Sequence, residues 1–207
     1  MRLQEARKDL YRRLAKEQGY KSRAAFKLIE ADEKYGFIHE GDRVADFGAA
    51  PGGWLQVCSE LVGPEGIVVG VDIHPIHLKE RNVKALALDV NDPSVAIKVA
   101  AALGGKADVV LSDLSPTVSG VWELDHIRQV DLTMRALSLC DELLKKGGHG
   151  FFKLFEGERS QEARNEMKGG FREVRVVKPK ASRSQSSELY YYCEGWRGPA
   201  ATLREGS

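Results

Sequence analysis

From Asp46 to Trp54 the chain reads Asp-Phe-Gly-Ala-Ala-Pro-Gly-Gly-Trp, with glycine at 48, 52 and 53. A short apolar run (Val44, Ala45) precedes it, and an amphipathic run (Trp54, Leu55, Val57, Cys58, Leu61, Val62) follows. The order strand, glycine-rich turn, helix is the place where an open α/β sheet binds a nucleotide-like ligand. Gly48, Gly52 and Gly53 are expected to let the backbone approach that ligand where a Cβ would collide. Neither common phosphate-binding pattern is satisfied. A G-x-G-x-x-G turn would need glycine where Ala50 stands, and a P-loop needs a lysine where Trp54 follows Gly53. A glycine turn without phosphate chemistry suits a nucleoside ligand. Gly48, Ala50, Pro51, Gly52, Gly53 and Trp54 are therefore the candidate binding positions.

Two carboxylates sharpen the reading. Gly66 to Asp72 (GIVVGVD) reads as the next strand, and its terminal Asp72 is placed to accept hydrogen bonds from ribose hydroxyls. A third run, KALALDV, ends near Asp89, within reach of an adenine edge. Glycine turn, ribose acid and base acid together describe a site for S-adenosylmethionine. The plainer alternative is a tightened turn with two strand-end aspartates serving as caps.

Five segments in order carry a resemblance: YKSRAAFKL (20–28), DFGAAPGGW (46–54), VVLSDLSP (109–116), FFKLFEGE (151–158) and KPKASRSQSSELY (178–190). They resemble the FtsJ/RrmJ family of RNA 2′-O-ribose methyltransferases, and the likeness covers residues 10–195. The resemblance implies a Rossmann-like fold with a mainly parallel seven-stranded sheet and helices on both faces. It implies S-adenosylmethionine as cofactor and RNA as partner. It also implies a catalytic Lys-Asp-Lys-Glu tetrad, which falls on Lys27, Asp113, Lys153 and Glu188, with Asp113 also near the cofactor. The substrate implied is a uridine of large-subunit ribosomal RNA, the short chain lacking a large extension. Related members instead modify the tRNA anticodon loop, and a non-catalytic ribosome-assembly factor on the same scaffold is a further alternative. An accessory protein is compatible with so short a chain, and a monomer is expected.

The chemistry so implied is demanding at the nucleophile. A ribose 2′-hydroxyl is a very weak acid and must lose its proton as the new bond forms, so the enzyme must align the atoms and supply a base or stabilise the alkoxide. Lys153, among Phe151, Phe152, Leu154 and Phe155, has the apolar setting that suits a lysine base. Two neighbouring carboxylates oppose that role and favour a charged, stabilising lysine. Asp113 is expected to hold its ammonium group, and Lys27 and Glu188 to orient the ribose. Taken singly, the lysines could be surface residues, Asp113 a turn cap and Glu188 a partner of Arg183. Ser182, Arg183, Ser184, Ser186 and Ser187 are candidates for phosphate contact. Of Tyr190, Tyr191 and Tyr192, alternation buries at least one, and another is free to stack on a base. His74 and His77 lack acidic or thiol partners and read as loop, so no metal is expected. A dinucleotide-dependent oxidoreductase is the competing enzyme class, weakened by the broken glycine pattern.

These residues need a frame. Apolar periodicity and stop signals predict helices over 2–17, 22–34 (Ser22 as N-cap), 54–62, 92–103, 125–146 (ended by Gly147-Gly148) and 160–168. They predict strands over 43–47, 67–71, 84–88, 107–111, 149–155, 171–177 and 188–193, the last two antiparallel. The alternation is that of a mainly parallel sheet in one domain, 1–195, with helices 1–36 contributing to RNA binding and a loose tail over 196–207. The 207 residues carry a net charge of +1 that hides an asymmetry. Residues 1–27 hold nine Lys/Arg against three Asp/Glu, and residues 168–183 hold six against one. A fold that joins these segments makes one basic, phosphate-binding face. The cysteines (Cys58, Cys140, Cys193) lie far apart in apolar runs and read as buried thiols. No apolar run reaches the ~20 residues of a membrane span, so a cytoplasmic protein is expected.

Overall fold

The computed structural model describes the backbone of residues 2–182 and 187–198, with side chains from residue 10 onward. Helices α1 (Arg2–Glu17) and α2 (Ala25–Tyr35) lead into alternating elements: β1 (Arg43–Phe47), α3 (Gly53–Val62), β2 (Ile67–Asp72), β3 (Val83–Ala87), α4 (Val95–Leu103), β4 (Ala107–Ser112), α5 (Trp122–Leu143) and β5 (Leu144–Phe155). Helix α6 (Ser160–Gly170) and strands β6 (Phe171–Val177) and β7 (Glu188–Trp196) complete the chain. The sheet order is β3-β2-β1-β4-β5-β7-β6. Strands β3, β2, β1, β4 and β5 are parallel, and β7 inserts antiparallel between β5 and β6.

The central strands are apolar nearly throughout because both sheet faces are covered. On one face α4, α5 and α6 bury Val99, Leu103, Val130, Leu139 and Met167 against Phe47, Val71, Phe152 and Tyr191. On the other, α2 and α3 bury Leu28, Ala31, Trp54 and Leu55 against Val68, Val109, Phe151 and Tyr190. Order reverses between β1 and β4, and at such a switch point the loops leaving the carboxyl ends of the strands diverge into a crevice. The turn after β1, Asp72, Asp89 and Asp113 all lie at that edge.

Several expectations are corrected. Helix α2 begins at Ala25 rather than Ser22, because Ser22–Ala24 form a preceding turn and the Ser22 side chain makes no cap. Helix α5 spans Trp122–Leu143, and Gly147-Gly148 do not end it. They lie within β5, where Gly147 has φ +83° and a Cβ on Gly148 would meet the Asp108 carbonyl at 2.8 Å. All three consecutive tyrosines are buried, so none is free to stack on a base. The domain does not end at 195: Trp196 closes β7, packs on Phe171 and is 6% exposed. Residues 199–207 of the expected tail lie outside the described residues. The three thiols are free and buried, and among the described residues no helix is long and apolar enough to cross a membrane.

Candidate active site

Four elements converge at the carboxyl edge. Helix α2 turns Ala25, Leu28 and Ala31 into the core and carries Lys27 inward with them, 7% exposed. Asp113 follows the last residue of β4. Lys153 of β5 lies directly opposite Tyr190 of β7, and Phe155 opposite Glu188, so period-2 alternation puts all four on one sheet face. Antiparallel insertion of β7 is what brings Glu188 beside β5.

The side chains form one continuous run. Lys27 Nζ donates to Glu188 Oε1 at 2.7 Å and to the Tyr190 hydroxyl at 2.8 Å. That hydroxyl donates to Asp113 Oδ1 at 2.7 Å, and Lys153 Nζ stands 3.1 Å from the same oxygen. Lys153 Nζ also donates to the Asp113 carbonyl at 2.7 Å and to Ser115 Oγ. Ser182 Oγ donates to Glu188 Oε1 at 3.0 Å. From α5, Thr133 and Gln129 donate to the Lys153 carbonyl and fix the strand at that point. The four tetrad positions expected from sequence are thus brought together. Tyr190 was missed as their link, although its place two residues past Glu188 on the same strand face was the available signal. Arg183, Ser184 and Ser186 lie outside the described residues.

The electrostatics favour charge separation held in place. Burial works to raise the Asp113 carboxyl, but the Lys153 and Lys27 ammonium groups and the Tyr190 hydroxyl outweigh it and keep Asp113 below the usual carboxylate range. Burial, with the Asp113 and Glu188 carboxylates beside it, pushes the Tyr190 phenol well up, so it stays protonated and donates. Each member therefore has a defined direction of hydrogen bonding.

The glycines of the turn make close contacts within the protein. A Cβ on Gly48 (φ +80°) would meet the Leu114 backbone nitrogen at 2.7 Å, and one on Gly53 would meet Ser22 Oγ at 2.5 Å. On Gly52 it would meet Leu78 and Ile76 at 3.1–3.2 Å. These glycines let protein segments close on one another; Gly48 in particular lets the β1 and β4 loops touch. Trp54 is buried, donates its indole N–H to the Ala24 carbonyl at 2.8 Å and packs on Phe151 and Tyr190, tying α3 to the sheet face that carries Lys153 and Tyr190. Asp72 accepts from the Ala50 N–H at 3.0 Å and from His74 N–H, and so braces the turn. The Ala50-Pro51 peptide in that turn is cis. Exposed Asp89 accepts from the Asn91 N–H. His74 and His77 are exposed, and among the described residues no group of His, Cys, Asp or Glu could hold a metal ion.

Asp46 is the second residue that sequence reading passed over. It is fully buried, and neither carboxylate oxygen has a partner among the described residues. Burial, then the nearby Asp113 and Asp72 charges, push its carboxyl well above the ordinary range. The orphaned Asp46 oxygens, with Asp72 at the end of β2, are acceptors that fit the ammonium and ribose hydroxyl groups carried by S-adenosylmethionine.

Comparisons with known proteins identify the family and the fold. Residues 20–196 match the model of the FtsJ-like methyltransferase family. A Cenarchaeum symbiosum protein named ribosomal RNA large subunit methyltransferase E is 46% identical over 96% of this chain and 100% of its own length. One of the same name from Methanothermobacter thermautotrophicus is 40% identical over 94% and 92%. The crystal structure of a Plasmodium falciparum protein assigned as a ribosomal RNA methyltransferase superposes with a TM-score of 0.77 at 29% identity, covering 86% of this chain and all of that one. Aeropyrum pernix fibrillarin with natively bound S-adenosyl-L-methionine shares the fold alone, with a TM-score of 0.60 at 19% identity over 82% and 75%. With its tetrad linked through Tyr190 at the switch point of a seven-stranded sheet, the chain belongs to the FtsJ-like methyltransferase family.

Proposed function

We propose that the protein transfers a methyl group from S-adenosylmethionine to a ribose 2′-hydroxyl of RNA, the substrate being large-subunit ribosomal RNA. The observation that carries this is the unbroken run Glu188–Lys27–Tyr190–Asp113–Lys153, which sets a buried cation at a defined point of the crevice edge. All of these residues address a hydroxyl and its developing charge, and none needs to read a base. The names of the two relatives support ribosomal RNA as substrate.

When bound, the cofactor supplies a methyl already activated by its sulfonium, which leaves as a neutral thioether. Asp46 and Asp72 are the residues to hold its ammonium and ribose groups, and Asp89 its base. Asp113 holds the Lys153 ammonium in place, and its positive charge stabilises the negative charge developing on the reacting oxygen. The hydroxyl proton leaves to water as the carbon–oxygen bond forms. Lys27, held by Glu188 and Tyr190, orients the ribose from the other side.

Binding of the polynucleotide is supported by how the two basic segments meet. Helix α1 packs on α2 through Tyr11 and Phe26, and the Lys180 N–H donates to Glu30 of α2 at 2.6 Å. Lys178 Nζ reaches the Glu188 carbonyl at 2.8 Å. The basic N-terminal helices and the 178–182 turn therefore adjoin beside the tetrad, where they would neutralise phosphates. The test is methyl transfer from labelled S-adenosylmethionine to ribosomal subunits, free ribosomal RNA and bulk tRNA, followed by nucleoside analysis. A 2′-O-methylnucleoside in large-subunit RNA is expected. The same product in tRNA alone overturns the substrate, and a base-methylated product overturns the chemistry.

A further inference from the structure

Trp122 is the one exposed tryptophan of three. It is 49% exposed, against 3% for Trp54 and 6% for Trp196. It opens helix α5, and its ring lies nearly parallel to those of His126 (17°, centroids 6.0 Å) and Phe155 (10°, 6.2 Å). An indole with half its surface in water is costly to leave uncovered and is suited to receive a flat, apolar partner.

The ring is also held in place. Asp125 accepts from the Ser119 and Gly120 N–H groups and from the Ser119 hydroxyl, closing the loop before the helix. His126 is buried beneath Trp122, takes the Arg159 N–H on Nε2, and sits so close to Gly157 that a Cβ there would meet the imidazole at 2.5 Å. The platform is therefore formed before any ligand arrives, and little ordering cost remains on binding.

Its position points to the substrate. Residues 122, 126, 129 and 133 follow helical spacing along one face of α5, and Gln129 and Thr133 of that face hold the Lys153 carbonyl. Phe155 lies in register with Glu188. Ser115, at the start of the loop that leads into Trp122, holds the Lys153 ammonium. Through Phe155, two residues past Lys153 on β5, the aromatic stack stands at the same carboxyl edge as the tetrad, and Trp122 is its solvent-exposed outer ring. What extends from a ribose held at Lys153 is the neighbouring nucleotide, and its base has the flat face the indole requires.

We infer that Trp122 is a stacking subsite for an unpaired nucleobase of the RNA next to the methylated ribose. The ligand class is a base in an unstacked loop or single strand, the form in which RNA bases are open to aromatic side chains. Stacking tolerates any base, so Trp122 sets the register and affinity of the strand while the tetrad performs the transfer. This rests on the proposed RNA substrate.

The test uses the full chain with Trp122→Ala and Trp122→Phe. Steady-state methyl transfer to ribosomal RNA is measured beside quenching of tryptophan fluorescence by a short uridine oligoribonucleotide. Stacking is worth roughly 1–3 kcal/mol per base, so Trp122→Ala should raise KM for RNA by about 5- to 150-fold, far more than it lowers kcat. KM for S-adenosylmethionine and the melting temperature should hold, and Trp122→Phe should recover most of the loss. The oligonucleotide should quench the wild type and not Trp122→Ala. If the wild type methylates RNA and Trp122→Ala does so with the same KM, the subsite is refuted and the function stands. If the wild type methylates no RNA yet its Trp122 emission is quenched, the subsite stands and the function falls.

Discussion

Replacing Tyr190 by phenylalanine removes one oxygen and leaves the ring, which is buried against Phe151 and Trp54. The lost hydroxyl accepts from Lys27 at 2.8 Å and donates to Asp113 at 2.7 Å. Hydrogen bonds to charged groups are worth about 1.5–3 kcal/mol each. Lys27 keeps Glu188 and Asp113 keeps Lys153, so neither charge is orphaned. The net cost should be about 2 kcal/mol rather than the full sum. In a chain of this size that corresponds to a melting temperature lower by roughly 4–8 °C. The catalytic signature is more specific. Asp113 is held below its ordinary range partly by this hydroxyl. A depressed carboxylate contributes stability and orientation that are present above its unfolded pKa and are lost as pH falls through the folded one. Tyr190→Phe raises the folded pKa, so the acid limb of the kcat profile should move to higher pH, with kcat at neutral pH lower by roughly 10-fold. Scanning calorimetry and methyl transfer across pH 4–8 (an assay range, about four units) measure both. An unchanged melting temperature together with an unmoved acid limb would refute the linking role of Tyr190.

Three further perturbations follow from the geometry. Lys153→Ala should lower kcat by about 10²–10³-fold, the cost of removing a charge-stabilising donor. Its affinity for S-adenosylmethionine, read by calorimetry, should stay within a few-fold, and retained turnover in a folded variant would sink the assignment. Gly48→Ala sets a Cβ 2.7 Å from the Leu114 backbone at φ +80°, and should cost about 3 kcal/mol from strain and overpacking together. A thermal melt matching wild type would contradict it. Asp46, raised by burial and by Asp113 and Asp72, stays protonated in the fold after it would ionise in the unfolded chain. Stability without cofactor should therefore fall as pH climbs above the ordinary carboxylate range, with a slope of up to about 1.4 kcal/mol per unit. Asp46→Asn should flatten that slope in denaturant titrations, and an identical slope in both proteins would exclude it.

Much of the site was legible along the chain because its members lie at the ends of strongly patterned elements. The runs at 43–47, 67–71 and 107–111 are apolar because central parallel strands are covered on both faces, so strand, turn and strand-end acid could be placed by pattern alone. The motif around Lys153 and the one ending at Glu188 could be recognised, but their contact could not be derived. Those residues are 35 positions apart in sequence, and only the insertion of β7 between β5 and β6 puts Tyr190 opposite Lys153. Alternation predicted at least one buried tyrosine at 190–192, yet which hydroxyl would bridge two charges depended on α2 delivering Lys27 across the sheet. The glycines at 48, 52 and 53 announced a close approach, and periodicity could not reveal that the neighbours are Leu114, Leu78 and Ser22. Gly147-Gly148 misled for a related reason: glycine marks a bend, and only the pairing partner decides whether a helix ends there or a strand begins. Local pattern is set by which faces a segment must bury, and that is written residue by residue. Hydrogen-bond partners distant in sequence, and the Asp46 carboxyl raised by burial and then by the Asp113 and Asp72 charges, exist only once the sheet order has brought their strands together.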